Sequence, residues 1–260
     1  MEKIIIKAGN IDDSLSIFRD KELKNIFFSM NAYVASVLRT GRIIANNSGI
    51  TEIYIGRQKV IQVEVIESDK KRYPLLVSRN NGLDPYYKPD NLLKKESGKR
   101  LWNPEKELYV EQECAKAYEA MAMDAKQDKI FMRITNAFRS YSDQEVMLNK
   151  YIKNKGIIEA NKIVAPPGFS EHQLGEALDV AGAISETGEN ISTNQEVWQW
   201  IADNAYKYGF MIKNVKGKER IHGGIYEPWH IRFINDVDVA EYIHKREITL
   251  NEYLEKVEER

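Results

Sequence analysis

The feature that most restricts how this chain can fold is a pair of short stretches far apart in sequence. They are Ser170-Glu-His-Gln-Leu-Gly-Glu-Ala-Leu-Asp179 and Tyr226-Glu-Pro-Trp-His-Ile-Arg232. The first carries His172 and Asp179 around Gly175, and the second carries Glu227 three residues before His230. Two imidazoles and one carboxylate make a three-ligand set for zinc with a fourth position open, and the remaining carboxylate is then free to act as a general base. A fold that uses them must bring both stretches to one point. Ala177-Leu-Asp-Val-Ala181 is a short apolar run with one carboxylate inside it, and an aspartate in a buried strand must be paired, hydrogen-bonded or bound to a cation. On a helix, Glu227 and His230 would share a face, but Pro228 opposes a helix interior. If Trp229 to Phe233 is a strand, His230 and Arg232 share one face and Trp229, Ile231 and Phe233 the other. Glu227 then reaches the side of His230 only if the backbone bends at Pro228.

The rest of the chain divides at the charged stretch Glu67-Ser-Asp-Lys-Lys-Arg72. Before it, over residues 1–68, short apolar runs follow one another: Ile4–Ile6, Ser14–Phe18, Asn25–Phe28, Val34–Leu38, Gly41–Ala45, Thr51–Ile55 and Val60–Ile66. From Ile61 on the last alternates, with Gln62 and Glu64 on one face and Ile61, Val63 and Val65 on the other. Turn residues at Gly9-Asn10, Thr40-Gly41, Asn46–Gly49 and Gly56 separate the runs, so a small all-β sandwich is predicted. After residue 72 the pattern is mixed. A short strand is predicted at Tyr73–Val77, an irregular wrap over Gly82–Pro104, a helix over Leu108–Lys129 and a strand at Ile130–Thr135. A second helix, Ser142–Lys155, is expected to be capped by Ser142 or Asp143, and a third spans Asn194–Gly209. Phe210–Gly224 reads as a strand and a charged hairpin at Lys216–Arg220, and Asp238–Glu259 as one or two amphipathic helices. Arg139 falls at a strand-to-helix junction, where a guanidinium suits either a carboxylate clamp or a local cap.

Composition limits the partners. With 38 basic and 39 acidic side chains, scattered and not collected in a block, the chain lacks the excess that nucleic acid demands. No apolar run approaches the length of a membrane span, and the start is too short in apolar residues for a signal peptide. Cys114 is the only cysteine, which excludes intramolecular disulfides and multi-thiolate zinc sites; within the predicted helix it reads as a buried apolar residue. His222 is expected at an exposed turn, with a contact at the rim of a site or to substrate as the alternative, and His244 on a helix surface. Monomer is the default oligomeric state.

Ser170 to Asp179 matches the Ser-x-His-x-x-Gly-x-Ala-x-Asp motif of VanY-type D-alanyl-D-alanine carboxypeptidases, and Tyr226-Glu-Pro-Trp-His230 matches their Glu-x-Trp-His motif. Phe138-Arg-Ser-Tyr-Ser-Asp-Gln144 resembles their Tyr-Arg-Ser-x-x-x-Gln segment; Tyr73–Asn81 and Thr249–Tyr253 are similar to the family's edges. The resemblance covers roughly residues 72 to 255. It implies an α+β zinc peptidase domain, here 72–260, with a small antiparallel sheet flanked by helices. It implies His172, Asp179 and His230 as zinc ligands, and Glu227 as the base that activates water and returns the proton to the leaving amine. It further implies Arg139 as the group binding the substrate carboxylate or the developing oxyanion, with Gln144 and Ser170 contacting the peptide end. The substrate class it implies is the peptidoglycan stem peptide, cut at its terminal D-Ala in the extracytoplasmic cell envelope or wall. L,D-carboxypeptidases and cell-wall endopeptidases share these motifs, and an inactive wall-binding module is the non-enzymatic alternative. Phe138 where many members have Tyr, and Lys213-Asn-Val215 in place of an Arg-Tyr-Pro-like segment, bear on substrate preference and leave the metal motif intact. Residues 1–68 resemble the bacterial immunoglobulin-like (group 2) domain in the order of Val34–Val37, Gly41–Ala45 and Ser48–Ile55.

Overall fold

The alternating N-terminal runs become seven strands in a computed structural model of the protein, in which residues 2–15, 27–95, 107–183 and 191–257 are described. They are β1 (Glu2–Lys7), β2 (Ile11–Asp12), β3 (Phe27–Ser29), β4 (Ala35–Val37), β5 (Ile43–Ala45), β6 (Gly49–Ile55) and β7 (Gln58–Ile66). One sheet has the order β1-β7-β6-β3 and the other β2-β5-β4, with β1 parallel to β7 and the remaining pairs antiparallel. In β7, Ile61, Val63 and Val65 are buried while Gln62 and Glu64 are not, because the pleat sends successive side chains to opposite faces. Ile6, Phe27, Val37, Ile43 and Ile53 join them in a core that both sheets supply. The strand expected at Ser14–Phe18 lies mostly outside the described residues.

The second half is built on an antiparallel sheet. Its elements are β8 (Leu92–Lys95), β9 (Leu108–Glu111), α1 (Gln112–Gln127), β10 (Met132–Asn136), α2 (Tyr141–Lys155), α3 (Ile157–Ile163), β11 (Ala177–Gly182), α4 (Asn194–Asn204), β12 (Phe210–Ile212), α5 (Glu219–His222), β13 (His230–Phe233), α6 (Val237–Lys245) and α7 (Leu250–Lys256). The sheet order is β10-β11-β13-β12. Tyr118 and Met121 of α1 and Val197 and Ile201 of α4 cover one face, meeting Ile134, Leu178, Val180, Ile231 and Phe233 in one core. Cys114 lies fully buried in it, as its apolar reading requires. The opposite face carries Asp179, His230 and Arg232, together with Met211, which packs in a second apolar cluster.

Several boundaries differ from the sequence expectation. Leu108–Glu111 is a strand paired with β8, so the helix begins only at Gln112, where the Glu111 carboxylate accepts the Cys114 amide at 2.7 Å. β8 itself lies in the stretch expected to be an irregular wrap, whose residues 96–106 are outside the description. Ser140, not Ser142 or Asp143, caps α2, since it is the last residue in extended conformation and its hydroxyl accepts the Asp143 amide at 3.1 Å. The expected hairpin at Lys216–Arg220 is a turn leading into the short α5. Tyr73–Val77 forms no strand; only isolated bridges at Ser29–Asn81 and Ser78–Asn81 mark the segment.

That segment instead stitches the two halves together. The buried Asn81 side chain accepts the Val37 amide at 2.7 Å and donates to the Val37 carbonyl at 3.0 Å. Tyr73 and Leu76 pack with Leu38 and Ile44 of the sandwich and with Ile243 and Leu254 of α6 and α7. Arg42 reaches the carbonyl of Val257 at 2.8 Å. Asn81→Ala leaves a buried backbone donor and acceptor without partners, so denaturation in urea is expected to show a loss of about 3 kcal/mol; an unchanged midpoint would contradict this role.

Candidate metal centre and cleft

Sheet register brings the distant stretches to one point. Leu178 and Val180 face the core, so Asp179 between them faces the other way, and it lies directly opposite His230 of β13. A bulge between Ile134 and Asn136 sets Asn136 opposite Asp179, where its amide donates to Oδ2 at 3.0 Å. His172 comes from a 3-10 turn, Glu171–Leu174, ended by Gly175 at φ 72°. The left-handed conformation favours glycine at 175, and a Cβ there would also crowd Leu92 Cδ2 at 2.7 Å and the Glu111 amide nitrogen at 3.3 Å. The bend expected at Pro228 is a tight turn, closed by the His230 amide donating to the Glu227 carbonyl at 3.1 Å. As the alternation predicts, Ile231 and Phe233 point into the core while His230 and Arg232 point away from it.

His172 Nδ1 bonds to the Ala137 carbonyl at 2.7 Å, which leaves Nε2 facing Asp179 Oδ2 at 3.5 Å. His230 turns Nδ1 to Asp179 Oδ1 at 3.1 Å and Nε2 to Glu171 Oε2 at 3.3 Å. The two rings stand nearly perpendicular, with centroids 5.0 Å apart. The ligand atoms of His172, Asp179 and His230 all lie within 4.8 Å of one another, and among the described residues no other group of three such side chains does this. Two neutral-capable nitrogens and a carboxylate oxygen converging in this way are a donor set that fits zinc.

The charges of these groups are tightly coupled. Burial disfavours a charged His230, but the hydrogen bonds to Asp179 and Glu171 and their negative charges outweigh it and lift its pKa to about 9. Burial keeps His172 neutral to lower pH, and the Arg139 and His230 cations push the same way against the pull of Asp179. For Asp179, burial raises the pKa, but the charges and hydrogen bonds of both histidines hold it well below the usual range.

A set of buried ions behind His230 escaped the sequence reading. The Glu171 carboxylate, 1% exposed, meets His230, Arg232 Nη1 at 3.2 Å and Lys213 Nζ at 3.5 Å, and Arg232 Nη2 also reaches Glu176 at 2.7 Å. Burial opposes its charge, yet Lys213, His230 and Arg232 hold its pKa down to about 2. A signal was present: alternation puts Arg232 on the face of His230, and a buried guanidinium demands carboxylates. A carboxylate on the far nitrogen of a metal-ligating histidine fixes its tautomer and orientation.

The triad opens into a cleft of about 280 Å³ whose walls include Arg139, Gln144, Ser170, Lys213, Asn214 and Glu227. Arg139 is anchored where the backbone leaves β10, its amide donating to the His172 carbonyl at 3.0 Å and its Nη1 to Gln144 Oε1 at 2.9 Å. Gln144 is held in turn by the Ala165 carbonyl at 2.7 Å. Ser170 is buried at the cleft wall beside the 3-10 turn. Glu227 accepts a hydrogen bond from Asn214, and burial, aided by Asp179, raises its pKa against His230, Lys213 and that bond. His222 is not the exposed turn histidine expected: it is 6% exposed, with Nε2 against the Val215 carbonyl at 3.1 Å, because α5 folds it inward to the cleft wall. His244 is exposed as expected and stacks on Tyr206, away from the cleft.

Comparison with known proteins gives a consistent result. The VanY family, D-alanyl-D-alanine carboxypeptidase, matches residues 107–236. A putative carboxypeptidase of Bacillus subtilis, YodJ, is 33% identical over 202 residues, covering 77% of this chain and 73% of that protein. Among solved structures, the LD-carboxypeptidase LdcB is similar at 33% identity and TM-score 0.60, covering 70% of this chain and 86% of that one. A mutant of the vancomycin-resistance D,D-pentapeptidase VanY in complex with Zn(II) is similar at 25% identity and TM-score 0.60, covering 70% and 98%. The mixed α/β fold of the second half is the one these zinc peptidases share.

Proposed function

Since the chain belongs to the VanY family of D-alanyl-D-alanine carboxypeptidases, we propose that it is a zinc-dependent carboxypeptidase removing the terminal D-Ala from peptidoglycan stem peptides. The observation that carries this reading is the convergence of the His172, Asp179 and His230 donor atoms at the floor of a cleft that Glu227 and Arg139 also line. His172 and His230, whose Nε2 and Nδ1 face Asp179, would hold the zinc together with that carboxylate. Bound there, zinc lowers the pKa of water to about 7 and polarises a carbonyl.

The chain's own groups do the rest. Arg139 takes the terminal carboxylate of the peptide, its guanidinium orientation kept by Gln144. Ser170 and Gln144 contact the peptide end. Glu227 removes a proton from the attacking water and delivers it to the leaving D-Ala nitrogen as the peptide bond breaks, so the carboxylate is regenerated. Its raised pKa suits both halves of that transfer.

Incubation with pentapeptide and tetrapeptide muropeptides followed by mass analysis tests the D,D assignment. Loss of one D-Ala from the pentapeptide alone is expected, and shortening of the tetrapeptide alone would overturn it in favour of L,D-cleavage. With zinc bound and neither peptide cut, the wall-binding module becomes the better reading. The same proposal assigns the protein to the cell envelope outside the cytoplasm, where its substrate lies. We further read residues 1–68 as an immunoglobulin-like domain; seven strands in two sheets sharing one core, with the first strand beside the last, support this.

A further inference from the structure

Arg79 belongs to the segment that joins the two halves, well before the catalytic sheet in sequence, yet it lines the cleft with Glu227, Arg139 and His222. Its place is fixed from three sides. Asn81, two residues on, is locked to β4. Its Nε donates to the Gly223 carbonyl at 2.6 Å, and its Nη2 to the carbonyl of Asn161 in α3. Gly223 sits at φ 76°, and a Cβ there would come within 3.0 Å of Arg79 Cδ, so the side chain lies directly on the backbone after α5. The guanidinium is thereby strapped across the cleft wall between two elements.

What it lacks is an acid. Both of its hydrogen bonds go to neutral carbonyls, and among the described residues no carboxylate forms an ion pair with it. Burial lowers its pKa, and the one opposing charge that it feels is that of Glu227. Arg79 is only partly buried, but even partial desolvation of a cation without a counter-ion is unfavourable, and a planar guanidinium is suited to a carboxylate. Arg232, by contrast, is buried with Glu171 and Glu176. Arg139 is committed to the terminal carboxylate on the reading above. An anion for Arg79 must therefore come from another part of the substrate.

We propose that Arg79 binds a second carboxylate of the substrate, upstream of the scissile bond, and so makes the enzyme selective for acidic stem peptides over amidated ones. This rests on the carboxypeptidase reading of the same cleft. A stem peptide offers two sources: the free α-carboxylate of its γ-linked glutamate, and the side-chain carboxylate of a diamino diacid at the third position.

Three pentapeptides separate them: one with both carboxylates free, one amidated at the glutamate, and one amidated at the third residue. For Arg79→Gln, kcat/KM on the free peptide is expected to fall about 10- to 100-fold, mostly through KM, with zinc content unchanged and the chain still folded at the assay temperature. In the wild type, amidation at one of the two positions costs the same factor, and in Arg79→Gln that amidation costs nothing more. The position at which this holds identifies the carboxylate. An equal loss on all three peptides, or no loss, overturns the proposal, the former pointing to an effect on Glu227 or on the fold. Affinities of the same peptides, measured by calorimetry on the zinc-loaded Glu227→Gln chain with and without Arg79→Gln, give the same comparison without turnover. Absence of wild-type turnover would thus count against the carboxypeptidase reading, while calorimetry still decides the role of Arg79.

Discussion

Glu227→Gln is expected to keep its zinc and lose turnover by about 10³-fold, the middle of the range for removing a positioned general base. The substitution preserves shape: the glutamine carbonyl still accepts the hydrogen bond of Asn214, and the tight turn that carries position 227 depends on backbone groups. Only the ability to take a proton is gone. The loss is therefore expected to fall on kcat, with KM nearly unchanged, since on the proposed reading Arg139, and not Glu227, holds the peptide's terminal carboxylate. Steady-state kinetics on a pentapeptide, with metal analysis of the same preparation, measures both quantities. Activity within tenfold of wild type would remove Glu227 from the role of base.

His230→Ala removes both a proposed zinc ligand and the partner of the Asp179 and Glu171 carboxylates. Loss of a mere outer partner of a ligating histidine lowers metal affinity by about 10- to 100-fold, so loss of the ligand itself must exceed that, and activity follows the metal. His172→Ala is expected to act likewise. Chelator competition measures the affinity, and full zinc occupancy in both variants would end the ligand assignment. The same experiment in the wild type carries a pH signature. With its metal-free pKa raised to about 9, His230 is protonated below that value and must lose its proton when zinc binds. Zinc affinity is therefore expected to fall by at least about tenfold per unit as pH drops below about 9, with at least one proton released per zinc taken up at neutral pH. His172 adds nothing to that slope near neutrality, because burial already keeps it neutral.

The buried ions around Glu171 give these predictions their context. The Lys213 ammonium lies on Glu171, a carboxylate that also holds His230. A change at Lys213 thus reaches the proposed zinc ligand through one shared side chain. The joining segment has a similar double character. Asn81 ties it to the sandwich and Arg79 carries it into the cleft, so the N-terminal half is packed against the catalytic half and not merely tethered to it.

What the sequence by itself determined is the local chemistry. Periodicity gave the alternation of β7 and β13; the side-chain types allowed a site of His172, Asp179, His230 and Glu227, and the motif resemblance implied it. Pro228 required a bend, and a turn closes there. These properties depend on neighbours a few residues away, and such patterns survive in a linear string. Cap choice at Ser140 and the late start of α1 were less legible, because pairing of Leu108–Glu111 with β8 overrides its helical spacing. The tertiary structure alone decided which nitrogen of each histidine faces Asp179. It also decided that His222 turns inward, that Glu171 is buried with three cations, and that Arg79 reaches the cleft from outside the catalytic sheet. Each of these depends on the energy of a charge or polar group once water is removed, and that is set by what the fold packs around it.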